Sequence, residues 1–175
     1  MDALFSAFQA RAEAVSSEVH RFPSKAQACD FIAQFLSRES PGTTAVWAGE
    51  PWLESGGPVP IVAPQVTRDA AAAAKVGISQ MDWALADTGT VVEDASAIDK
   101  RLVSTLPSIH IAIVATNSLQ PDLATMLAKL HPKQASYISM ITGPSRTADI
   151  ERVLTIGVHG PARLIIVFVD ELGSN

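Results

Sequence analysis

Apolar residues recur along this chain with two different periods. Leu4, Phe5, Phe8, Ala12 and Val15 fall at helical spacing and predict a helix over residues 3–16 with one apolar stripe. Ala28, Phe31, Ile32, Phe35 and Leu36 repeat the pattern after Pro23 and Ser24, where Ser24 suits an N-cap. Ile109–Ala115, apolar except for His110, instead reads as a strand, and the continuous apolar run Leu164–Val169 as a buried one. Shorter strands are predicted at Thr44–Trp47, Ile61–Ala63, Ala84–Ala86, Thr90–Val92 and Ala135–Thr142. Helices are expected at 68–76, 97–105 and Pro121–Leu130, and a helical turn at Ala148–Val153. Gly49–Pro60, with Trp52 in it, reads as a surface loop suited to cover a site, whereas Trp47 reads as core.

Alternation of helices with strands in the second half predicts a three-layer α/β/α protein with a mostly parallel sheet. The 175 residues suffice for one domain, with N-terminal helices over about 3–36. Ligands of such sheets gather where strands end at their carboxyl side. The polar segment Gly143-Pro144-Ser145-Arg146-Thr147-Ala148-Asp149-Ile150-Glu151 follows a predicted strand and is expected at such an end. A second turn, Gly157-Val158-His159-Gly160-Pro161, precedes the last strand, and the two turns suggest one shared site.

Arg146 offers a planar fork for a carboxylate or phosphate, with Gly143, Ser145, Thr147 and backbone N–H groups completing a cradle if a helix begins at Ala148. The competing reading pairs Arg146 internally with Asp149 or Glu151. Asp149 orients Arg146 or caps the short turn. His159, between glycines, suits a ligand hydrogen bond, a proton shuttle or a metal, and the competing reading is a simple turn histidine bonded to backbone. Asp87, Thr88, Gly89 and Thr90 place a carboxylate and two hydroxyls in a tight turn, which ordinary turn chemistry also explains. His110 sits between isoleucines that face the other side of its strand, so it reads as a satisfied interior histidine.

Composition narrows the chemistry. A net charge of −5 gives no drive toward nucleic acid or anionic membranes. No apolar run approaches the roughly 20 residues of a membrane helix, and the N-terminus lacks a signal pattern, so a cytoplasmic protein is expected. The single cysteine, Cys29, adjoins a helical stripe and reads as packing; it cannot form an intramolecular disulfide or a multi-cysteine metal site. No dinucleotide fingerprint, P-loop or paired-histidine zinc motif is present, and Thr147 replaces the second glycine of a nucleophile elbow. No cofactor or metal held by this chain is expected.

Four segments in order carry a family resemblance. They are Gly77-Ile78-Ser79-Gln80-Met81-Asp82-Trp83-Ala84-Leu85-Ala86-Asp87-Thr88-Gly89-Thr90, Leu106-Pro107-Ser108-Ile109-His110-Ile111 and the two polar turns, and together they resemble the LutC/YkgG family of LUD-domain proteins. The resemblance implies a fold like that of the NagB/RpiA/CoA-transferase group. It also implies a role in oxidising L-lactate to pyruvate alongside iron–sulfur partner proteins. Electrons from lactate need a flavin, nicotinamide or metal carrier, so the expectation is an accessory or ligand-binding subunit with redox centres in partners. The alternative is a free-standing enzyme acting on a phosphorylated or CoA-linked small molecule.

Overall fold

The structure is a computed structural model that describes residues 1–39, 45–49, 51–53, 61–62, 66–130, 136–148, 154–157 and 159–172. The chain order is α1 (Asp2–Ala14), β1 (Glu18–Phe22), α2 (Lys25–Glu39), β2 (Ala45–Ala48), β3 (Ile61–Val62), α3 (Arg68–Ala73), β4 (Val76–Met81), β5 (Trp83–Leu85) and β6 (Thr90–Asp94). It continues through α4 (Ile98–Thr105), β7 (Ile109–Ala115), β8 (Leu119–Gln120), α5 (Leu123–Leu127), β9 (Ile138–Ile141), β10 (Arg146–Ala148), β11 (Leu154–Ile156) and β12 (Arg163–Val169).

Six strands form a wholly parallel sheet in the order β1-β12-β7-β4-β2-β3. Its middle strands are apolar on both faces because both faces are covered. Ile109, Ile111 and Ile113 join Ile165, Val167 and Val169 against Ala28, Ile32, Phe35 and Leu36 of α2. Ala112, Val114, Ile166 and Phe168 face the other way and meet Phe8 and Ala12 of α1. The Phe8 and Phe168 rings pack edge to face with centroids 4.9 Å apart. Val103 of α4 and Ala71 of α3 cover Val46 and Ala48 on the same side as α1. Ser24 caps α2 as expected, its Oγ accepting from the Gln27 N–H at 3.4 Å.

A second sheet, ordered β8-β5-β6-β9, shares the α1 side. Ala84, Val91 and Leu119 press it onto the central sheet, and Met126 of α5 covers Leu85 and Val92 on its outer face. The expected hairpin of Ala84–Ala86 and Thr90–Val92 is present as antiparallel β5 and β6.

Several local expectations change. The segment after Thr142 does not leave the parallel sheet: β9 pairs antiparallel with β6 in the second sheet. Apolarity predicted the strand but could not say which sheet would take it. Ala148 begins no helix; it ends β10, which pairs antiparallel with β11. The helix expected to Leu130 stops at Leu127, and its cap is Asp122, whose carboxylate accepts from the Thr125 N–H at 2.7 Å. The helix over 68–76 ends at Ala73, since Val76 already belongs to β4, a fully buried strand that its Gly, Ser and Gln disguised. β1, rich in polar residues, was also not anticipated. Among the described residues no helix is long and apolar enough to cross a membrane.

Candidate functional site

The two polar turns meet. The Ser145 N–H donates to the Pro161 carbonyl at 2.8 Å, and the Gly157 N–H donates to the Ser145 carbonyl at 2.9 Å. A Cβ at Gly160 would stand 3.2 Å from that of Ser145, so glycine there allows the close approach. Gly143 turns the chain at φ +75° and lies so near Val15 that a Cβ would come within 2.6 Å of its carbonyl oxygen.

Between these turns, β9, the end of α4 and the starts of β7 and β12 lies a cavity of about 290 Å³. Ser104, Ser139, Ser145 and His159 give it polar edges, while Ile141, Pro161 and Leu164 give it apolar ones. His110 and Leu164 are cross-strand partners near the amino ends of β7 and β12. The cavity therefore opens at the end of the parallel sheet opposite to the one expected.

His110 also lines it, with a ring that is 0% exposed. Nε2 lies 2.8 Å from Ser79 Oγ, and that hydroxyl is 3.4 Å from Met81 Sδ. Nδ1 has no partner among the described residues. The histidine is interior as read, but only half satisfied. Burial alone pulls its pKa down to about 4, which keeps the ring neutral near pH 7.

Glu93 stands behind the same wall. It pairs in register with Ser139 and is 0% exposed. No hydrogen bond of regular geometry reaches either carboxyl oxygen among the described residues, although the Ser104 hydroxyl is close enough to ease its charge. Burial raises its pKa to about 7; Lys100 opposes the rise, and Asp82 and Asp99 add to it. Lys100 Nζ itself lies 3.7 Å from Asp82 Oδ2, which accepts from the Asp94 N–H at 2.7 Å. A buried carboxyl poised near neutrality beside a cavity is a common mark of a working site.

Of the residues singled out in sequence, Gly143, Ser145 and His159 line the cavity. Arg146 turns away from it and is exposed; Nη2 donates to the Val15 carbonyl at 2.8 Å and to Ser16 Oγ at 2.7 Å. Thr147 has its backbone in β10, paired with Thr155. Asp149, Ile150, Glu151 and Val158 lie outside the described residues. The Asp87–Thr90 turn packs on α1, with Gly89 at φ +69° against Ala12. It reaches the cavity rim through Thr90 Oγ1, which lies 2.7 Å from Thr142 Oγ1 and donates to Thr88 Oγ1 at 2.8 Å. Asp87 accepts a 3.3 Å bond from the Thr88 hydroxyl. Sequence reading passed over Glu93, Ser104 and Ser139. The only signal for Glu93 was one carboxylate on the same strand face as Val91. Among the described residues no group of three or more His, Cys, Asp or Glu is arranged to hold a metal.

Fold and site together define a mixed α/β protein with a ligand-sized cavity between two stacked sheets. This chain belongs to the LUD domain family, whose profile matches residues 6–169. It is 40% identical over 104 residues to lactate utilization protein C of Halalkalibacterium halodurans, covering 56% of this chain and 45% of that protein. Lactate utilization protein C of an Exiguobacterium species is 38% identical over 115 residues, at 62% and 50% coverage. An uncharacterized protein, YkgG of Escherichia coli, is 35% identical over 104 residues, at 56% and 45%. The chain thus spans about half the length of the curated relatives it matches. A crystal structure of a DUF162 family protein from Deinococcus radiodurans shares the fold, with a TM-score of 0.65 at 21% identity over 96% of this chain and 97% of that one.

Proposed function

We propose that this chain serves L-lactate utilization, the oxidation of lactate to pyruvate, as an accessory or ligand-binding component whose partners carry the redox centres. The observation that carries this reading is the LUD domain match over residues 6–169, joined to relatives named lactate utilization protein C. Two electrons leave lactate, and a cofactor must take them. Cys29 is the one cysteine and is buried, so a cluster held by four thiolates cannot come from this chain. Iron–sulfur proteins are the partners this reading expects. The alternative, a stand-alone enzyme gripping a phosphorylated or CoA-linked substrate through Arg146, draws less support because Val15 and Ser16 already engage that guanidinium.

Purification of the tagged protein from its native cells grown on L-lactate tests the proposal. Co-elution of iron-containing partners, with slowed growth on lactate after deletion, is the expected result. A protein that elutes alone, in cells whose lactate growth survives deletion, would overturn it.

A further inference from the structure

The second sheet ends on a strand suited to pair again. Among the described residues β9 stands last in the order β8-β5-β6-β9, and its sequence Ile138-Ser139-Met140-Ile141 holds no charge and no proline. β8, β5 and β6 are almost wholly buried, whereas every residue from Ser136 to Thr142 keeps solvent exposure. Tyr137 is 53% exposed and Met140 46%. Sheet edges usually carry a lysine, a proline or a bulge that deters further pairing. This one presents apolar side chains.

One bond fixes which way its peptide groups point. The Ala95 N–H donates to the Tyr137 carbonyl at 2.9 Å. The ladder continues through Glu93↔Ser139, Val92↔Met140 and Val91↔Ile141. Peptide groups alternate along an antiparallel strand, so Tyr137, Ser139 and Ile141 turn theirs to β6, while Ile138 and Met140 turn theirs outward. Side chains alternate too. Ile138 packs with Val92 on the outer face, which Met140 shares, and Ile141 packs inward on the side of Ser139. A second copy meeting this edge antiparallel must match both alternations. Crossing at Ser139 does so: Ile138 of each copy faces Met140 of the other, and Tyr137 faces Ile141. The outward groups of Ile138 and Met140 then bond reciprocally across the axis. Crossing at Met140 would instead set Ile138 against Thr142 and Ser139 against Ile141, polar against apolar.

We propose that two copies of this chain pair through β9 about a two-fold axis at Ser139, joining their second sheets into one. Tyr137, whose ring lies 5.2 Å from the Arg101 guanidinium, then reaches the partner's Ile141 at the rim of the partner's cavity. Ile98, 59% exposed and one turn before Arg101 on α4, borders the same contact. A second copy is the occupant because this register matches the edge to itself. Such a contact buries on the order of 500 Å² per protomer, the lower bound of specific interfaces. The dimer is therefore reversible, with a Kd in roughly the micromolar range. It requires neither lactate nor an iron–sulfur partner.

Sedimentation velocity of the full chain from about 1 to 100 µM should show a monomer passing into a dimer. Met140→Lys puts a charge on the edge and should raise the Kd roughly tenfold or more, with the thermal midpoint unchanged. Ser139→Cys tests the register. Cα atoms facing each other across a non-hydrogen-bonded pair stand about 4.5 Å apart, within disulfide reach, and the native Cys29 is buried. Mild oxidation should lock Ser139→Cys into a covalent dimer. Thr142→Cys, whose copies would stand about 20 Å apart, should stay uncross-linked. A monomer at about 100 µM overturns the proposal. So does a dimer that a folded Met140→Lys leaves intact, or one that Ser139→Cys cannot lock. Should Met140→Lys fail to fold, the two cysteine variants decide alone.

Discussion

Glu93 and His110 act on stability in opposite directions, and Glu93→Gln separates them. Glu93 is raised from 4.5 to about 7 in the folded protein, chiefly by burial. The native state therefore keeps a proton that the unfolded chain releases, and stability falls as pH rises from 4.5 through 7. A shift of about 2.5 units corresponds to about 3 kcal/mol. His110 is lowered from 6.5 to about 4 by burial. There the unfolded chain takes a proton that the native state refuses, so stability is lost as pH falls from 6.5 through 4, again by about 3 kcal/mol. Between pH 4.5 and 6.5 the two slopes nearly cancel, and the wild type should be nearly flat with respect to this pair. Glutamine copies the shape of protonated glutamic acid without titrating. Glu93→Gln should match the wild type near pH 4, climb with pH along the histidine slope, and exceed it by about 3 kcal/mol above pH 8. Urea unfolding at one-unit pH steps, with m-values checked for constancy, measures the difference. A constant offset at every pH would mean that Glu93 ionises normally in the fold, and the burial argument would be refuted.

Other substitutions test the frame around the site. Gly143→Ala forces a side chain onto a φ of +75° and within 2.6 Å of the Val15 carbonyl; a loss of about 1–3 kcal/mol in thermal unfolding is expected, and wild-type stability would contradict it. Arg146→Ala removes the bonds to Val15 and Ser16 from an exposed side chain and should cost about 1 kcal/mol. Its effect on L-lactate affinity should be small; a collapse of binding with the fold intact would restore Arg146 as an anion grip. Phe168→Ala empties the contact with Phe5 and Phe8 and should lower stability by about 3–5 kcal/mol in urea titrations.

Elements with a single clear period were legible from the chain. The helical stripe through Phe8 and Ala12, the capped helix after Ser24 and the runs at β7 and β12 stand where the pattern put them. β4 was not legible, because Gly77, Ser79 and Gln80 break an apolar run while packing and hydrogen bonding bury all six residues. Within the site, the meeting of the Ser145 and His159 turns was anticipated. The direction of Arg146 was left open between a ligand and an internal partner, and the partners found, Val15 and Ser16, lie 131 and 130 residues away.

By itself the sequence determined which segments must be hidden from water, because apolar periodicity is a local property of the chain. It also set the chemical limits: one cysteine, net negative charge and a family pattern. Only the tertiary structure decided that β9 joins a second sheet, that the cavity opens at the amino ends of the parallel strands, and that Glu93 and His110 are buried beside it. Those outcomes depend on strand pairing between distant segments, and burial, the largest cause for the glutamate and the one cause for the histidine, turned ordinary side chains into groups whose protonation is coupled to the fold.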